Sequence, residues 1–134
     1  MTSANIELAR SVWEAWERGD FSSVEWAHPD IVYVVADGPA PGSWVGRAGM
    51  LEGWREFLAA WADYRSDAEE YLELDEDRVL VLGTHIGRGR SSGVAAEQLR
   101  AKGAGVFEVR GGMVTKLVLY VDRQNAFADL GLES

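Results

Sequence analysis

The second half of the sequence alternates apolar and polar residues with a period near two, and short turns interrupt the alternation. This alternation predicts four strands, near 65–74, 78–88, 96–110 and 113–121. Two of the connections, "DEDR" and "GG", are short enough to join neighbouring antiparallel strands. The pattern therefore predicts a run of hairpins within one antiparallel sheet.

The first half of the sequence predicts helices. Apolar residues recur at positions 6, 9, 12, 13 and 16, which is the spacing of one helical face. Ser3 or Asn5 can cap this helix, and Gly19 can end it in the left-handed conformation. The segment "SSVE" at 22–25 has the pattern of a capping box and predicts a short second helix.

The next stretch predicts a strand, a loop and a third helix. "DIVYVV" at 30–35 is typical of a strand, and "ADGPAPGSWVG" at 36–46 of a loop. The third helix has an apolar stripe that contains Met50, Leu51, Trp54, Phe57, Leu58 and Trp61. Gly49 and Gly53 weaken it by up to about 1 kcal/mol each relative to alanine. Packing must offset this loss, or the glycines permit close contact with the sheet.

A short last helix is expected from Gln124 to Leu130, with Gly131 as its stop. The element order is then helix, helix, strand, helix and four strands. This order predicts a single α+β domain over all 134 residues, in which helices pack on one face of a curved antiparallel sheet.

Composition narrows the possible partners. The net charge of −9 repels phosphate groups and anionic lipid, so nucleic acid and membranes are not expected partners. There is no cysteine and only two histidines, His28 and His85, which excludes thiolate and histidine-rich metal sites. No signal peptide or membrane span is recognisable, and a cytoplasmic location is expected.

The chain resembles the SnoaL-like branch of the NTF2-like superfamily along nearly its whole length. Four stretches carry the resemblance: "VWEAWERGDFSSVEWAHPDIVYVV", "WVGRAGMLEGWREFLAAW", "DRVLVLGTHIGRGRSSGV" and "VFEVRGGMVTKLVLYVDRQNAFADLGL". The resemblance implies an α+β cone with an apolar pocket between helices and sheet, often a homodimer, and no obligatory cofactor. It does not fix the activity, because this fold hosts polyketide cyclases, steroid isomerases, epoxide hydrolases and members that only bind or dimerise.

The glycine pair at 111–112 predicts the register of the last hairpin. With Arg110 opposite Met113, the later pairs are Val118–Gly105, Tyr120–Gly103 and Asp122–Ala101. Val118, Tyr120 and Asp122 would then lie beside residues with almost no side chain. The resulting hollow could receive an apolar ligand, and Asp122 would line it. A slip of one residue would place them all on the other face.

Asp122 has two competing interpretations. It can be the N-cap of the last helix, with its carboxylate accepting from an amide near Gln124 or Asn125. It can also be a buried acid or base, because burial raises the pKa of a carboxyl group towards neutrality. Several SnoaL-like cyclases use an aspartate near the end of the last strand, and the resemblance places Asp122 at that position.

His85 and Tyr33 are the other catalytic candidates. His85 lies inside a predicted strand and can either form a structural hydrogen bond or transfer protons together with Asp122. Tyr33 can orient a substrate carbonyl or fill the core. Candidate ligand-binding residues are Val118, Tyr120 and the tryptophans of the helical stripes, Trp13, Trp16, Trp54 and Trp61, which can equally be core anchors.

Two functions are consistent with these residues. One is a cofactor-free cyclase or isomerase that uses aspartate acid–base chemistry on an apolar carbonyl compound, with epoxide hydrolysis as a chemical variant. The other is a non-catalytic ligand-binding or dimerisation module, in which Asp122 caps the helix and aromatic side chains fill the cone. Cavity volume and the direction of the Asp122 side chain discriminate between them.

Overall fold

The computed structural model describes residues 4–20, 23–37, 41–59, 61–89 and 98–132. Its elements in chain order are α1 (Ala4–Glu17), β1 (Ala27–Val35), β2 (Gly42–Val45), α2 (Gly46–Ala59), β3 (Trp61–Glu73), β4 (Arg78–Gly89), β5 (Gln98–Arg110), β6 (Met113–Tyr120) and α3 (Arg123–Leu130). The strands form one six-stranded sheet in the order β2-β1-β6-β5-β4-β3. The predicted α+β class is confirmed.

The sheet is mixed, whereas the sequence predicted an antiparallel one. β1 and β6 run parallel, with Tyr33 opposite Leu117, and the other neighbouring strands are antiparallel. β2, which pairs with the outer edge of β1, was predicted to be part of a loop. The pairing of β1 with β6 joins the first and last strands of the chain, and no hairpin connects these two strands.

The two faces of the sheet carry different helices, which corrects the prediction that all helices pack on one face. α1 and α2 cover the face that we call inner, where Trp13, Trp54 and Phe57 pack against Tyr33 and sheet side chains. α3 covers the opposite, outer face, where its Ala126 joins a cluster of sheet residues. None of the described helices has the length and apolar character needed to cross a membrane.

The predicted second helix is wrong for the residues that the structure describes. Residues 23–24 have no regular structure and residues 25–26 form a turn, while residues 21–22 lie outside the described ranges. The Ser23 hydroxyl donates to the Glu25 carboxylate, and the Trp26 indole donates to the Ser23 carbonyl. Strand β1 begins immediately afterwards, and the Trp26 carbonyl already accepts from Val114 of β6. Pairing with β6 therefore takes the place of a helical turn.

The other predicted helix signals give a mixed result. Gly19 has the predicted left-handed conformation, with a φ of 84°. Ser3 lies outside the described residues, and Asn5 lies within α1, where its side chain donates to the Glu76 carbonyl instead of capping. Gly53 permits the close contact that was one of its two explanations, because a Cβ there would lie 2.8 Å from the Tyr33 ring.

The last hairpin turns at the glycine pair as predicted, but its register shifts by one residue after the second pair of the ladder. Arg110 pairs with Met113, and Gly111 and Gly112 both have positive φ. Val109 then pairs with Val114 but Glu108 with Lys116, so Thr115 is an additional residue in β6. The hydroxyl of Thr115 donates to the Glu108 carbonyl at 3.3 Å. This bulge reverses the face of every later residue of β6 relative to the prediction.

Candidate functional site

Asp122 lies at the surface and caps α3. Its side chain is exposed, and its carboxylate accepts from the Gln124 amide at 2.9 Å. The capping interpretation is confirmed, and the prediction that the side chain lines a cavity is wrong. The cause is the bulge in β6, which shifts the chain by one residue before it reaches Asp122. A catalytic role for Asp122 stays a prediction, and the geometry gives it no support.

Val118 and Tyr120 lie on the outer face, away from α1 and α2. They pair with Val106 and Ala104, so the predicted pairs with Gly105 and Gly103 are wrong. The Tyr120 ring is buried beneath α3, and its hydroxyl donates to the Asp129 carboxylate at 2.9 Å. Burial, and then this carboxylate, raises the pKa of Tyr120 to about 12. Ligand binding by these two residues stays a prediction.

The glycines on the inner face are covered by two ring systems. A Cβ at Gly105 would lie 2.8 Å from the Trp13 indole, and a Cβ at Gly83 would lie 3.2 Å from the same ring. A Cβ at Gly103 would overlap the His85 imidazole. The absence of side chains at these positions therefore makes room for Trp13 and His85, which occupy much of the hollow predicted there.

A continuous series of aromatic rings leads from α1 to His85. Neighbouring ring centroids lie 4.8 to 5.9 Å apart along Trp13, Trp16, Trp54, Phe57, Tyr64 and His85. Three of the four predicted tryptophans, Trp13, Trp16 and Trp54, are thus buried in the inner core. Trp61 is the first residue of β3, and its side chain lies outside the described part of the structure.

His85 forms hydrogen bonds through both ring nitrogens. Its Nδ1 lies 2.6 Å from the Tyr64 hydroxyl, and its Nε2 lies 3.2 Å from the Tyr120 carbonyl oxygen. Because a carbonyl can only accept, Nε2 carries the proton in the neutral ring. Nδ1 then accepts from Tyr64. This places a potential base, with one defined tautomer, in the apolar interior.

The environment keeps His85 neutral. Burial lowers the pKa of His85 below its ordinary value of 6.5, and nearby Arg123 lowers it further. The Tyr120 carbonyl and the Asp37 carboxylate act in the opposite direction but do not cancel the effect of burial. At neutral pH the lone pair of Nδ1 is therefore present and engaged only with the Tyr64 hydroxyl among the described residues.

Tyr33 supplies a second hydroxyl to the same region. The residue is fully buried, and among the described residues its hydroxyl has no hydrogen-bond partner. Burial, and then the neighbouring Tyr64, raises the pKa of Tyr33 well above 10, so the group stays a neutral donor. An unpaired buried hydroxyl costs about 1–3 kcal/mol. A ligand oxygen or a bound water would recover that cost.

Tyr64 connects this polar cluster to an open cavity. The cavity has a volume of about 430 Å³ and is lined by Trp16, Glu17, Arg18, Gly19, Tyr64, Arg65 and Ile86. It lies where the end of α1 approaches β3 and β4. Burial raises the pKa of Tyr64, and a hydrogen bond with Ser66 opposes this rise. Tyr64 thus lines the cavity and carries a neutral hydroxyl that contacts His85.

The structure brings His85 into contact with Tyr64, and Tyr64 in turn acts on the pKa of Tyr33. The Asp122 side chain is instead exposed at the start of α3. Sequence reasoning missed Tyr64 and Ser66. Ser66 pairs with His85 across β3 and β4, and Tyr64 lies two residues earlier, on the same face. Strand parity from His85 could have identified both residues had the β3–β4 register been known. Among the described residues, no group of three histidine or acidic side chains is placed to hold a metal ion.

Comparison with known proteins gives one family and a common fold. The SnoaL-like domain family matches residues 9–117. A search of curated proteins gave no significant match.

Solved structures match over almost the whole chain. An NTF2-like protein of unknown function from Burkholderia pseudomallei shares 22% identity, with a TM-score of 0.77 over 95% of this chain and 97% of that one. TerC, co-crystallised with polyporic acid, shares 24% identity, with a TM-score of 0.75 over 96% and 98%. A protein from Catenulispora acidiphila with a ketosteroid isomerase-like fold, in complex with trimethylamine, shares 16% identity, with a TM-score of 0.68 over 95% and 94%. At these identities the likeness establishes the fold.

Proposed function

Because the chain belongs to the SnoaL-like domain family, we propose that it binds a small apolar carbonyl compound and catalyses a cyclase-type or isomerase-type proton transfer with His85 as the base. The observation that carries this proposal is the 2.6 Å contact between the Tyr64 hydroxyl and His85 Nδ1, because Tyr64 also lines the cavity. A neutral imidazole in an apolar interior, within reach of a ligand site, is the arrangement that general base catalysis requires.

The cavity has the size and lining of a small-molecule site. Its volume of about 430 Å³ lies within the range of roughly 300–1,000 Å³ that is typical of ligand pockets. Trp16 and Ile86 give it apolar walls, Tyr64 adds a polar ring, and Glu17, Arg18 and Arg65 make the rest of the lining charged. This combination favours a flat ligand that has an apolar body and at least one oxygen acceptor.

The proposed reaction uses the tyrosine hydroxyls as donors. A substrate carbonyl that accepts from Tyr64 takes that hydroxyl away from His85 and leaves Nδ1 free. Nδ1 then removes a proton from the carbon beside the carbonyl, and the electron pair of the C–H bond moves onto the oxygen. Tyr64 and Tyr33 donate to the enolate oxygen. Return of the proton at another carbon gives an isomer. Attack of the enolate carbon on a second carbonyl instead closes a ring, and the alkoxide that forms takes the proton back from the His85 imidazolium.

A non-catalytic binding module is the second candidate, and the position of Trp13 favours it. The Trp13 indole covers Gly83 and Gly105 in the centre of the inner face, so little of the cone beneath α1 is open there. A ligand would then occupy only the cavity at the end of α1. In this case Tyr64 and His85 would orient the ligand without exchanging a proton with it.

Three naphthalene compounds test the binding site. Methyl β-naphthyl ketone offers a carbonyl, β-naphthol a hydroxyl, and naphthalene neither. We expect tryptophan fluorescence titrations to give the tightest binding for the ketone and the weakest for naphthalene. Polyporic acid, with which TerC was co-crystallised, is a further probe.

The Tyr64→Phe variant tests the role of the hydroxyl. We expect it to remove the preference for the ketone over naphthalene, because the ring remains and only the donor is lost. Tyr71→Phe is the matched control, since Tyr71 lies on the same strand but packs against Arg10. Equal affinity for all three compounds in the unaltered protein, or an equal effect of both variants, would contradict the proposed site.

Hydrogen exchange distinguishes catalysis from binding. In deuterated buffer, a bound ketone should exchange the protons beside its carbonyl faster than in buffer alone, and His85→Gln should abolish the acceleration. Binding without accelerated exchange would favour the non-catalytic module.

A homodimer and a cytoplasmic location also stay predictions, which light scattering and cell fractionation can test.

A further inference from the structure

Asp37 is the only described carboxylate that accepts from three donors at the junction of β6 and α3. It follows the end of β1 and accepts from the main-chain amide of Val121, from that of Asp122 at 3.1 Å and from the side-chain amide of Asn125 at 2.6 Å. These bonds connect the end of β1 to the start of α3. Capping of α3 alone does not explain them, because Asp122 already occupies the N-cap position.

The bond from Val121 connects Asp37 to His85. The amide N–H of Val121 and the carbonyl of Tyr120 belong to the same peptide group. The carbonyl accepts from His85 Nε2, and the N–H donates to the Asp37 carboxylate. Hydrogen bonds in such a series polarise one another. The order of groups is therefore Tyr64 hydroxyl, His85 imidazole, Tyr120–Val121 peptide and Asp37 carboxylate.

We propose that Asp37 is a positioning residue that acts on His85 through the Tyr120–Val121 peptide group. The carboxylate increases the negative character of the Tyr120 carbonyl, which fixes the proton on Nε2 and keeps Nδ1 directed at Tyr64. It also stabilises the imidazolium that forms when Nδ1 takes a proton. The catalytic meaning of this role rests on the proposed function, whereas the arrangement itself is a property of the ligand-free protein.

The charges around His85 are consistent with this role. Asp37 raises the pKa of His85 and Arg123 of α3 lowers it, while Tyr64 of β3 and the Tyr120 carbonyl of β6 bond to the ring directly. The residue opposite His85 on β5 is Ala101, which carries no charge. Among the described groups, Asp37 is thus the anion that favours the protonated ring.

An NMR titration of the ligand-free protein tests the proposal. We expect Asp37→Asn to lower the pH at which the His85 imidazole takes up its proton, because the anion behind the peptide group is lost. Asp129→Asn is the matched control, since Asp129 holds the Tyr120 hydroxyl on the outer face. His28 gives a second imidazole signal that reports any general effect. An unchanged His85 midpoint in Asp37→Asn, or an equal fall in Asp129→Asn, would overturn the proposal.

A measurement on the unaltered protein avoids dependence on the folding of Asp37→Asn. The amide proton of Val121 should shift with the same midpoint as the His85 imidazole, because both belong to one series of hydrogen bonds. His85→Gln should remove this shift. A Val121 signal that does not follow His85, or that keeps its midpoint in His85→Gln, would contradict the relay.

This test is independent of the ligand experiments. If no naphthalene compound binds, the proposed function fails while the titration of His85 can still show the relay. If a ketone binds and exchanges but Asp37→Asn leaves the His85 midpoint unchanged, only the role of Asp37 fails. With a substrate in hand, Asp37→Asn should lower kcat with KM little changed, since Asp37 does not touch the cavity.

Discussion

The two faces of the sheet bury their tyrosine hydroxyls in opposite ways. On the outer face, the Tyr120 hydroxyl donates to Asp129 at 2.9 Å. On the inner face, the Tyr33 hydroxyl has no partner among the described residues, although Tyr33 is completely buried. The Trp13 indole nitrogen is a further buried polar group of the inner face without a described hydrogen-bond partner.

The packing of the outer face mainly stabilises the fold, whereas the inner face retains unpaired polar groups that can bind a ligand. The outer cluster is mainly aliphatic and includes Leu80, Leu82, Val106 and Ala126. The inner cluster is rich in large aromatic rings and surrounds a titratable imidazole. Unpaired buried donors lower stability, so proteins tend to retain them where a ligand or water can use them.

The largest effect on stability is expected from a substitution that disturbs the packing of His85 on the inner face. In Gly103→Ala the new Cβ would overlap the imidazole and lie 2.6 Å from the Tyr120 carbonyl oxygen. Because both the ring and the main chain would have to move, we expect a loss of about 3 kcal/mol, at the upper end of overpacking costs. Urea unfolding measures the loss, and the His85 imidazole signal should shift.

Gly49→Ala is the control for Gly103→Ala. A Cβ at Gly49 of α2 would meet its nearest neighbour, Trp44, at an ordinary 3.4 Å. Alanine is also favoured over glycine within a helix by up to about 1 kcal/mol. We therefore expect unchanged or increased stability. A similar loss in both variants would show that the space above Gly103 is not specifically matched to His85.

Asp122 gives the next largest effect, and it belongs to the outer side of the molecule. Asp122→Ala removes the cap of α3 and should cost about 1 kcal/mol, whereas Asp122→Asn keeps an accepting oxygen and should cost little. Neither variant should change the His85 signal or the affinity for the ketone. A loss of binding in Asp122→Asn, with stability retained, would restore the interpretation of Asp122 as a site residue.

The sequence predicted elements well where local chemistry determines them. The Gly111–Gly112 turn, the last helix and the alternating strands depend on neighbouring residues, and all were confirmed. The site was predicted less well, because it depends on the register of β6. Thr115 has no local signal that marks it as an additional residue, yet it decides that Leu119, and not Val118, lies opposite Gly105.

The parallel pairing of β1 and β6 also escaped prediction. It joins residues that are more than 80 positions apart, such as Tyr33 and Leu117, and no short turn signals it. Tyr64 was missed for a related reason, since only the β3–β4 pairing brings it beside His85. Contacts between distant segments are set by packing, and hydrophobic period alone does not reveal them.

A smaller effect on the free energy of unfolding is expected when the pH is changed, and His85 on the inner face should cause it. Burial lowers the pKa of His85 below 6.5 in the folded state, so the unfolded chain takes up the proton first as pH falls. The free energy of unfolding should therefore decrease as the pH falls from about 7.5 through 6.5, until the folded pKa is reached. Urea unfolding at several pH values measures this slope.

His85→Gln should flatten the slope in this range. The carboxylates with lowered pKa, among them Glu25 and Glu69, lose their contribution only as pH falls below their ordinary value of 4.5, so they do not interfere. A slope that persists near pH 6.5 in His85→Gln would assign the effect to another group.

The smallest effect on stability is expected at Tyr33, and it tests the comparison of the two faces most directly. Tyr120→Phe removes a hydrogen bond and should cost about 1 kcal/mol, while Tyr33→Phe removes an unpaired hydroxyl and should be neutral or stabilising. For binding the order should be reversed, because Tyr33 is a proposed donor to the ligand oxygen and Tyr120 lies on the opposite face. Urea unfolding and the ketone titration, done on both variants, measure the two orders. If Tyr33→Phe costs as much stability as Tyr120→Phe, the Tyr33 hydroxyl already has a hydrogen-bond partner within the fold. It is then not available as a donor to a ligand.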